Sequence, residues 1–505
     1  MTSPDTTPVW KDPDTFPRYP TLGQDLKVDV LIIGGGITGV SCAHLLAKSG
    51  LQVALVESHR LGSGDSSHTT AHLTYMTDTR MREIVRTCGK QEAKIAWQAG
   101  HAAMEHIRAT CADCGADTGF EEVDGYLAAA ADGDDKDERS ALSEDLGLIR
   151  ELGFEAEWVE AAPPTGKPAI RFPGQMKFHP LRYIHAIAKQ AAAHGVSIFE
   201  QTNVDEFHAS PDHVVAGGHK IHFGRVIIAT HVPLQGNKST ITAALFQTKL
   251  ASYSTYAIAV LYPKDTLPRM IWSDTAEPFN YLRIDGTDEG DLAIFGGEDH
   301  KTGQETDTAA CYARLEERLE RYLGKGTVTH RWSGQVVETV DGLPYIGEIM
   351  ENQFIATGFS GNGFTFGVAT ALMAKDWVEG VDNPCFKTFS PSRVHLGATG
   401  TYLNENKDFP IRMVKDRLGL GKKEREDDLR AGEGCVLRID GKPVAVCRDS
   451  KGGVHHLSAV CPHMGCIVAW NPVEETWDCP CHGSRFTSKG GVIAGPAETD
   501  LEPVG

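Results

Sequence analysis

The chain has 505 residues, 41% of them hydrophobic, and a formal net charge of −19. That length predicts about three domains with ordinary globular cores. The acidic excess argues against nucleic acid and anionic membrane surfaces as partners, and no apolar run approaches the roughly 20 residues of a membrane span. The N-terminus lacks a basic start, an apolar stretch and a small-residue cleavage site, so no signal peptide is expected and cytoplasm is the expected location. Four of the twelve cysteines, Cys461, Cys466, Cys479 and Cys481, crowd into one short stretch. The rest, such as Cys42 and Cys311, are scattered and read as small core residues. Cys111 and Cys114 form C-x-x-C without a second pair nearby and read as helix-face cysteines. This usage fits a reducing compartment with one dedicated cluster.

Residues 1–27 are polar and proline-bearing and read as a surface arm. Residues 28–57 then hold the strongest local signal, VDVLIIGGGITGVSCAHLLAKSGLQVALVE. A strand at Val28–Ile33 runs into Gly34, Gly36 and Gly39, spaced G-x-G-x-x-G. An amphipathic helix follows, with Val40, Ala43, Leu46 and Ala47 on one face, and a second strand, Val53–Val56, ends at Glu57. Gly34 permits the tight turn, Gly36 lets backbone approach a pyrophosphate, and Gly39 lets helix pack on strand. The helix start offers free N–H groups to phosphate. Glu57 can accept from a ribose diol and would repel a 2′-phosphate. The motif therefore predicts a dinucleotide site, where a bare glycine-rich turn would not.

Arg60–Thr74, rich in Gly, Ser and Thr, permits close backbone approach to a ligand. Helical periodicity runs from Arg80 to about Thr110 through Ile84, Val85, Ile95, Met104 and Ile107. A strand is expected at Glu121–Ala130, an acidic surface turn at Asp132–Glu138 and a helix at Arg139–Leu152. A helix from Pro180 to His194, a strand at Val196–Glu200 and another over Lys220–His231 follow. His179, His185 and His194 read as surface or helix-end residues. Leu250–Tyr262 reads as a strand, Tyr281–Asp285 and Leu292–Gly296 as an antiparallel pair, and Ala309–Leu323 as a helix. After a turn at Asp341-Gly342 come a strand at Asn352–Thr357, the loop GFSGNGF and a helix from about Phe364 to Trp377. That loop supplies further free N–H groups at a helix start. Residues 381–428, with three prolines and the run KDRLGLGKKEREDD, read as a linker crossing the first domain's surface. From Leu429 the alternation in CVLRID and PVAVCRD marks a small all-β domain.

Residues Val28 to about Trp377 resemble the FAD-dependent oxidoreductases of the D-amino-acid oxidase and glycine oxidase class. The resemblance rests on Gly34, Gly36, Gly39 and Glu57, on Gly64–Ala71, on Ala229-Thr230, on Asp341-Gly342-Leu343-Pro344 and on Gly358–Gly363. It implies an α/β (α+β) chain with a Rossmann-like FAD-binding domain interleaved with an antiparallel-sheet substrate domain over residues 28–380. It implies bound FAD, with Glu57 on the AMP ribose and the turn Gly36, Ile37, Thr38, Gly39 on the pyrophosphate. Thr69, Thr70 and Ala229 would stand close to the cofactor, Val204 near the adenine, and the backbone of Gly361, Gly363 and Phe364 near the flavin N1–C2=O edge. There N–H donors would stabilise the reduced ring's negative charge. The class oxidises a C–N bond, often with an arginine for a substrate carboxylate. Arg283, in YLRI, is placed like that arginine; the competing reading is an edge-strand surface residue. Tyr281 is a further candidate, and Tyr253 and His300 are weaker ones.

In the last domain, residues 429–505, CPHMGC and CPCHGSRF present Cys461-x-His463 and Cys479-x-x-His482. Each loop offers one thiolate and one imidazole. The pattern resembles a Rieske [2Fe–2S] site, with cysteines on one iron and histidines on the other. The same four ligands could hold zinc, but Gly465-Cys466 and Pro480–Ser484 favour iron, which would colour the protein red-brown. By the same resemblance, to the cytochrome bc1 type, Cys466 and Cys481 would be disulfide-linked and the Ser484 hydroxyl would bond a cluster sulfur. Phe486 replaces the usual tyrosine, which implies a lower potential. A Rieske oxygenase is not expected: Glu405–Asp408 precedes the cluster and no paired histidines follow it. The combined expectation is a dehydrogenase that oxidises a small amine or amino acid and passes electrons through the cluster to an unnamed outside acceptor. The alternatives are an electron-transfer component serving a partner enzyme, and a Rieske-like domain used only for support.

Overall fold

The computed structural model describes residues 7–11, 15–133, 135–209, 212–232, 248–398, 400–401 and 426–504. The chain begins its regular structure with β1 (Leu26–Ile33), α1 (Ile37–Leu46) and β2 (Val53–Val56), the strand–turn–helix–strand unit expected. It leaves this unit through β3 (His72–Leu73), α2 (Met81–Cys88), α3 (Lys90–Asp113), β4 (Glu121–Ala128), α4 (Asp135–Glu151), β5 (Glu157–Ala162) and β6 (Lys167–Lys177). It returns through α5 (Pro180–Ala193), β7 (Ser197–Phe199), β8 (Val204–Ala209), β9 (Asp212–Ala216) and β10 (His219–Ile228). A second excursion holds β11 (Leu250–Tyr262), β12 (Met270–Asp274), β13 (Tyr281–Gly286), β14 (Asp291–Lys301), α6 (Thr308–Leu323) and β15 (Thr327–Thr339). β16 (Tyr345–Met350), β17 (Gln353–Thr357), α7 (Gly363–Glu379) and α8 (Cys385–Thr388) close the first region.

Two sheets result. One runs β16-β17-β10-β1-β2-β7 with β9 and β8 appended, and its β17, β10, β1, β2 and β7 are parallel. The other runs β15-β11-β14-β13-β12-β4-β6-β3 with β5 on β6, antiparallel except for β12 beside β4. Parallel strands need crossovers, and here the crossover from β2 to β7 carries four of the nine strands of the second sheet. The two sheets therefore share one chain path and neither is a separable segment. The last region is all β: β18 (Gly434–Ile439), β19 (Lys442–Arg448) and β20 (Val454–Ser458) form one small sheet. β21 (Ala469–Asn471), β22 (Thr476–Asp478), β23 (Arg485–Thr487) and β24 (Val492–Ala494) form the other.

Several expectations need correction. Helix α1 is not amphipathic: Thr38, Gly39, Ser41 and Cys42 are buried along with Val40 and Ala43, because α5 and α7 pack on it from opposite the sheet. The helical stretch from Arg80 breaks at Gly89, whose φ of +99° ends α2 and starts α3. The acidic segment expected as a turn over 132–138 is turn-like at 132–133 and from Asp135 is the start of α4. Strands β5 and β6 were not expected. His185 is buried and stacks on Phe16, ring centroids 4.2 Å apart, whereas His179 and His194 cap α5. The N-terminal arm is anchored: Trp10 and Leu22 are buried, and the Trp10 indole donates to the Thr69 carbonyl at 2.6 Å. The first part of the expected linker is also packed, with Phe389 in the main core and Arg393 bridging Asp341. The charged run of that linker lies largely outside the described residues. Among the described residues no helix is long and apolar enough to cross a membrane.

Candidate functional site

The glycine turn is shaped by close backbone approach. Gly34 has φ +106°, and a Cβ there would stand 2.4 Å from the Ala229 carbonyl oxygen. A Cβ on Gly39 would stand 1.9 Å from the Gly34 carbonyl oxygen, so the helix can seat on the turn only without a side chain there. No side chain caps α1 at Gly36, although the Ile37 N–H donates to the Ser66 hydroxyl at 3.0 Å. Glu57 is pinned by the Gly35 N–H at 2.6 Å and the His59 N–H at 2.8 Å. A second uncapped helix start, that of α7 at Asn362, faces the same space, since the Asn362 amide is turned away to the Met76 carbonyl.

Both helix starts open into one cavity of about 1720 Å³. That exceeds the roughly 300–1,000 Å³ of a typical ligand pocket and leaves room for a cofactor and a substrate together. Gly34, Gly36, Ile37, Thr38 and Glu57 line it at one end, then Thr69, Thr70, Val204 and Ala229, and beyond them Gly361, Gly363 and Phe364. Gly39 lies beneath the turn instead of on the wall. The free N–H groups, the bare glycines and the acid at the strand end are a donor set that fits FAD. One detail differs from expectation. The Gly361 N–H is taken by the Asp78 carboxylate, which leaves the first turn of α7 as the source of free N–H groups at this end of the cavity.

Past that loop the wall is formed by β11, β13 and β14. A register break between Ser254 and Tyr256 on β11 sets Thr255 beside Asp299 of β14; such bulges re-aim side chains. Tyr281 of β13 bonds the Thr255 hydroxyl at 2.6 Å, and its ring lies over Gly296, where any Cβ would be 2.2 Å away. Tyr281, Thr255, Asp299 and Asp78 all line the cavity. Burial raises Asp299 to about 7, helped by the charges of Asp78 and Glu298. Burial likewise raises Asp78 to about 6 against the Gly361 N–H. Sequence reasoning missed both acids. Asp299 ends a buried strand with a run of polar residues, a weak signal; Asp78 sits in an unremarkable loop.

Arg283 is not brought to the cavity. It is buried, its Nε meets both Asp285 oxygens at 2.9 Å, and its Nη1 donates to the Ala71 carbonyl at 2.7 Å. The Trp10 ring covers it, with the guanidinium carbon 5.0 Å from the centroid. Neither expected reading holds, because its donors serve the fold. His300 is also off the wall, bonded to the Tyr256 hydroxyl at 3.0 Å, and Tyr253 does not line it.

In the last region, the loops after β20 and β22 bring Cys461, His463, Cys479 and His482 together. Cys461 and Cys479 are buried, and a hydrogen bond from the Cys479 thiol holds Cys461 below its ordinary value. The two imidazole rings lie 4.9 Å apart and edge-on. Burial pushes each down to about 4, so both are neutral, as ligands must be. The His463 Nδ1 is buried and makes no hydrogen bond, an orphaned lone pair that a metal would satisfy. Two soft sulfurs and two imidazoles on facing loops fit a [2Fe–2S] cluster. Cys466 and Cys481 form a disulfide that ties the loops together. Ser484 is fully buried, hydrogen-bonds Cys461 and accepts from the Ala497 N–H at 2.9 Å.

Comparison with known proteins agrees with this geometry. Residues 29–377 match the family described as FAD dependent oxidoreductase, and residues 422–504 match the Rieske [2Fe-2S] domain. The chain belongs to the FAD-dependent oxidoreductase family. This oxidoreductase is similar throughout to YhfW of Bacillus subtilis (strain 168), whose name describes a Rieske 2Fe-2S iron-sulfur protein. The two are 32% identical over 503 residues, 98% of this chain and 97% of that one. Its Rieske domain is similar to the cytochrome b6-f complex iron-sulfur subunit of Nostoc punctiforme, 36% identical over 93 residues, 17% of this chain and 52% of the subunit. The flavin region shares the fold of glycine oxidase from Geobacillus kaustophilus, with a TM-score of 0.61 and 22% identity over 73% of this chain and 99% of that one. The family implies FAD, and the Rieske domain a [2Fe–2S] cluster.

In this oxidoreductase the Rieske domain contributes to the wall of the same cavity. Arg485, Thr487 and the segment Val492–Asp500 form part of the cavity wall. The buried Gln335 of β15, itself on that wall, donates to the Gly483 carbonyl at 2.7 Å and to the Thr302 hydroxyl at 3.1 Å. Gly483 adjoins His482. The Gln304 amide reaches the Pro480 carbonyl at 3.2 Å, Thr308 reaches Asn471 at 3.0 Å, and Ser333 bonds Glu474.

Proposed function

We propose that this protein is a dehydrogenase that oxidises a small amine or amino acid at a C–N bond and delivers the electrons through its Rieske domain to an outside acceptor. The observation that carries the reading is the seat of the cluster-bearing loop on the cavity wall through Gln335 and Gly483. Bound FAD supplies a two-electron acceptor, and the cluster a one-electron carrier. The turn at 36–39 would hold the pyrophosphate, Glu57 the ribose, Val204 the adenine, and Ala229 with Thr69 and Thr70 the middle of the cofactor. The first turn of α7 would stabilise negative charge at the ring edge. Cys461 and Cys479 would hold one iron, His463 and His482 the other. Oxidation breaks one C–H and one N–H bond, forms C=N and releases two protons with two electrons, so each substrate supports two single-electron deliveries. The domain limits that go with this reading are 28–380 and 429–505. Free cysteines outside the cluster, including Cys42, Cys88 and Cys311, support a cytoplasmic setting.

The test is anaerobic rapid mixing of the holoenzyme with amines and amino acids. Flavin absorbance is expected to bleach first, and the cluster's optical and paramagnetic signals to change afterwards. Bleaching with no change at the cluster would end the relay.

A further inference from the structure

Among the described residues the substrate end of the cavity carries acids and no free lysine or arginine. Asp299 is placed there by the β11 bulge beside Thr255, and its Oδ1 is buried and makes no hydrogen bond. Asp78 lines the same space, and its charge reaches Asp299. The arginines on the wall already face acids. Arg80 meets Asp145 at 2.8 Å, Arg485 meets Glu474 and Asp478, Arg60 stands 3.9 Å from Glu200, and Arg82 stands 4.0 Å from Glu144. Among the described residues no lysine lines the cavity. His72 is neutral, pushed by burial down to about 4, and its ring nitrogens are held by the Thr70 hydroxyl and the Leu282 carbonyl. Arg283, the residue suited to a substrate carboxylate, is closed off by Asp285 and Trp10.

A carboxylate taken out of water needs a counter-charge or must give up its own. A ligand ammonium group relieves that penalty at both acids. A ligand carboxylate would add a third like charge, with no free arginine among the described residues to meet it. We propose that this site takes an amine that presents an ammonium group between Asp78 and Asp299 and bears no carboxylate beside the reacting carbon. The proposal rests on the C–N oxidation above and narrows it, removing α-amino acids from the substrate class.

The test separates charge from chemistry. tert-Butylammonium and 2,2-dimethylpropanoate share a tert-butyl group and carry opposite charge, and neither has a hydrogen on the carbon next to its charged group. Binding of each to the holoenzyme is measured by calorimetry. The cation is expected to bind about tenfold tighter or more, and Asp299→Asn and Asp78→Asn each to weaken it by about tenfold, with the flavin spectrum retained. Equal or tighter binding of the anion would overturn the proposal, and that comparison needs no variant. Cation binding unaffected by both substitutions would overturn it too. In a parallel arm, butan-1-amine and glycine are tested for flavin bleaching. Bleaching by glycine alone overturns this inference and keeps the C–N reading. Bleaching by neither, with the cation still preferred, removes the C–N reading and leaves the charge selection standing.

Discussion

Gly303 offers the cleanest perturbation of the contact between the two redox domains. It follows β14, does not line the cavity and has φ +74°. A Cβ there would stand 2.9 Å from the Asp478 carbonyl oxygen and 3.0 Å from the Pro480 nitrogen, both Rieske backbone atoms. Gly303→Ala therefore carries two separate costs. The left-handed backbone costs about 1 kcal/mol, and this falls equally on docked and undocked forms. The steric conflict exists only when the Rieske domain is seated; overpacking of that size costs about 1–3 kcal/mol. The ratio of docked to undocked protein should then fall by about 5- to 150-fold. Hydrogen–deuterium exchange reads this directly, as faster exchange in peptides spanning 300–306 and 479–487. In rapid mixing the flavin should bleach at the parent rate while the cluster's reduction slows. Unchanged exchange would mean the domains do not rest on each other in solution. Faster exchange with undelayed cluster reduction would show that the seated arrangement is not the route electrons take.

Other outcomes follow from the same geometry. Cys461→Ser should remove the cluster's paramagnetic signal and its iron while FAD stays bound; turnover at the parent rate would assign the Rieske domain to support alone. Gly39→Val should yield protein without FAD, because its Cβ cannot coexist with the Gly34 carbonyl; normal flavin content would contradict the turn. Asp299→Asn in the flavin-free protein tests the buried acid. Asp299, facing Asp78, Glu298, Tyr281 and Thr255, rises from 3.8 to about 7 on folding, so the stability of its neutral form is full below pH 3.8 and lost as pH rises through 7. The variant should therefore gain melting temperature over the parent, growing from nothing near pH 4 to a plateau above pH 7. At about 1.4 kcal/mol per unit the gain is at most ~4 kcal/mol; a difference that is flat with pH refutes the shift.

Sequence reading succeeded where a constraint is local. The G-x-G-x-x-G turn and the two cluster loops each impose spacing over a few residues, and the residues singled out by that spacing stand together in the structure. It failed where long-range packing decides. Arg283 looked like a carboxylate anchor, yet Asp285 two residues on shares its strand face and captures it. Asp78 and Asp299 lie far apart in the chain and line one cavity only because loop 74–79 is stitched to the 358–363 loop and β11 bulges. The amphipathic reading of α1 assumed a solvent face, which α5 and α7 remove. The seat of the Rieske domain had no sequence signal, since Gln335, Gly303 and Gly483 are ordinary residues until the two surfaces meet.

The anchored N-terminal arm bears on how the protein is made. Trp10 leaves the ribosome early, but its partners are Thr69 and Arg283, and the second of these emerges only after most of the flavin region has been synthesised. The arm must wait unburied through that interval and close late, over strands that are already paired.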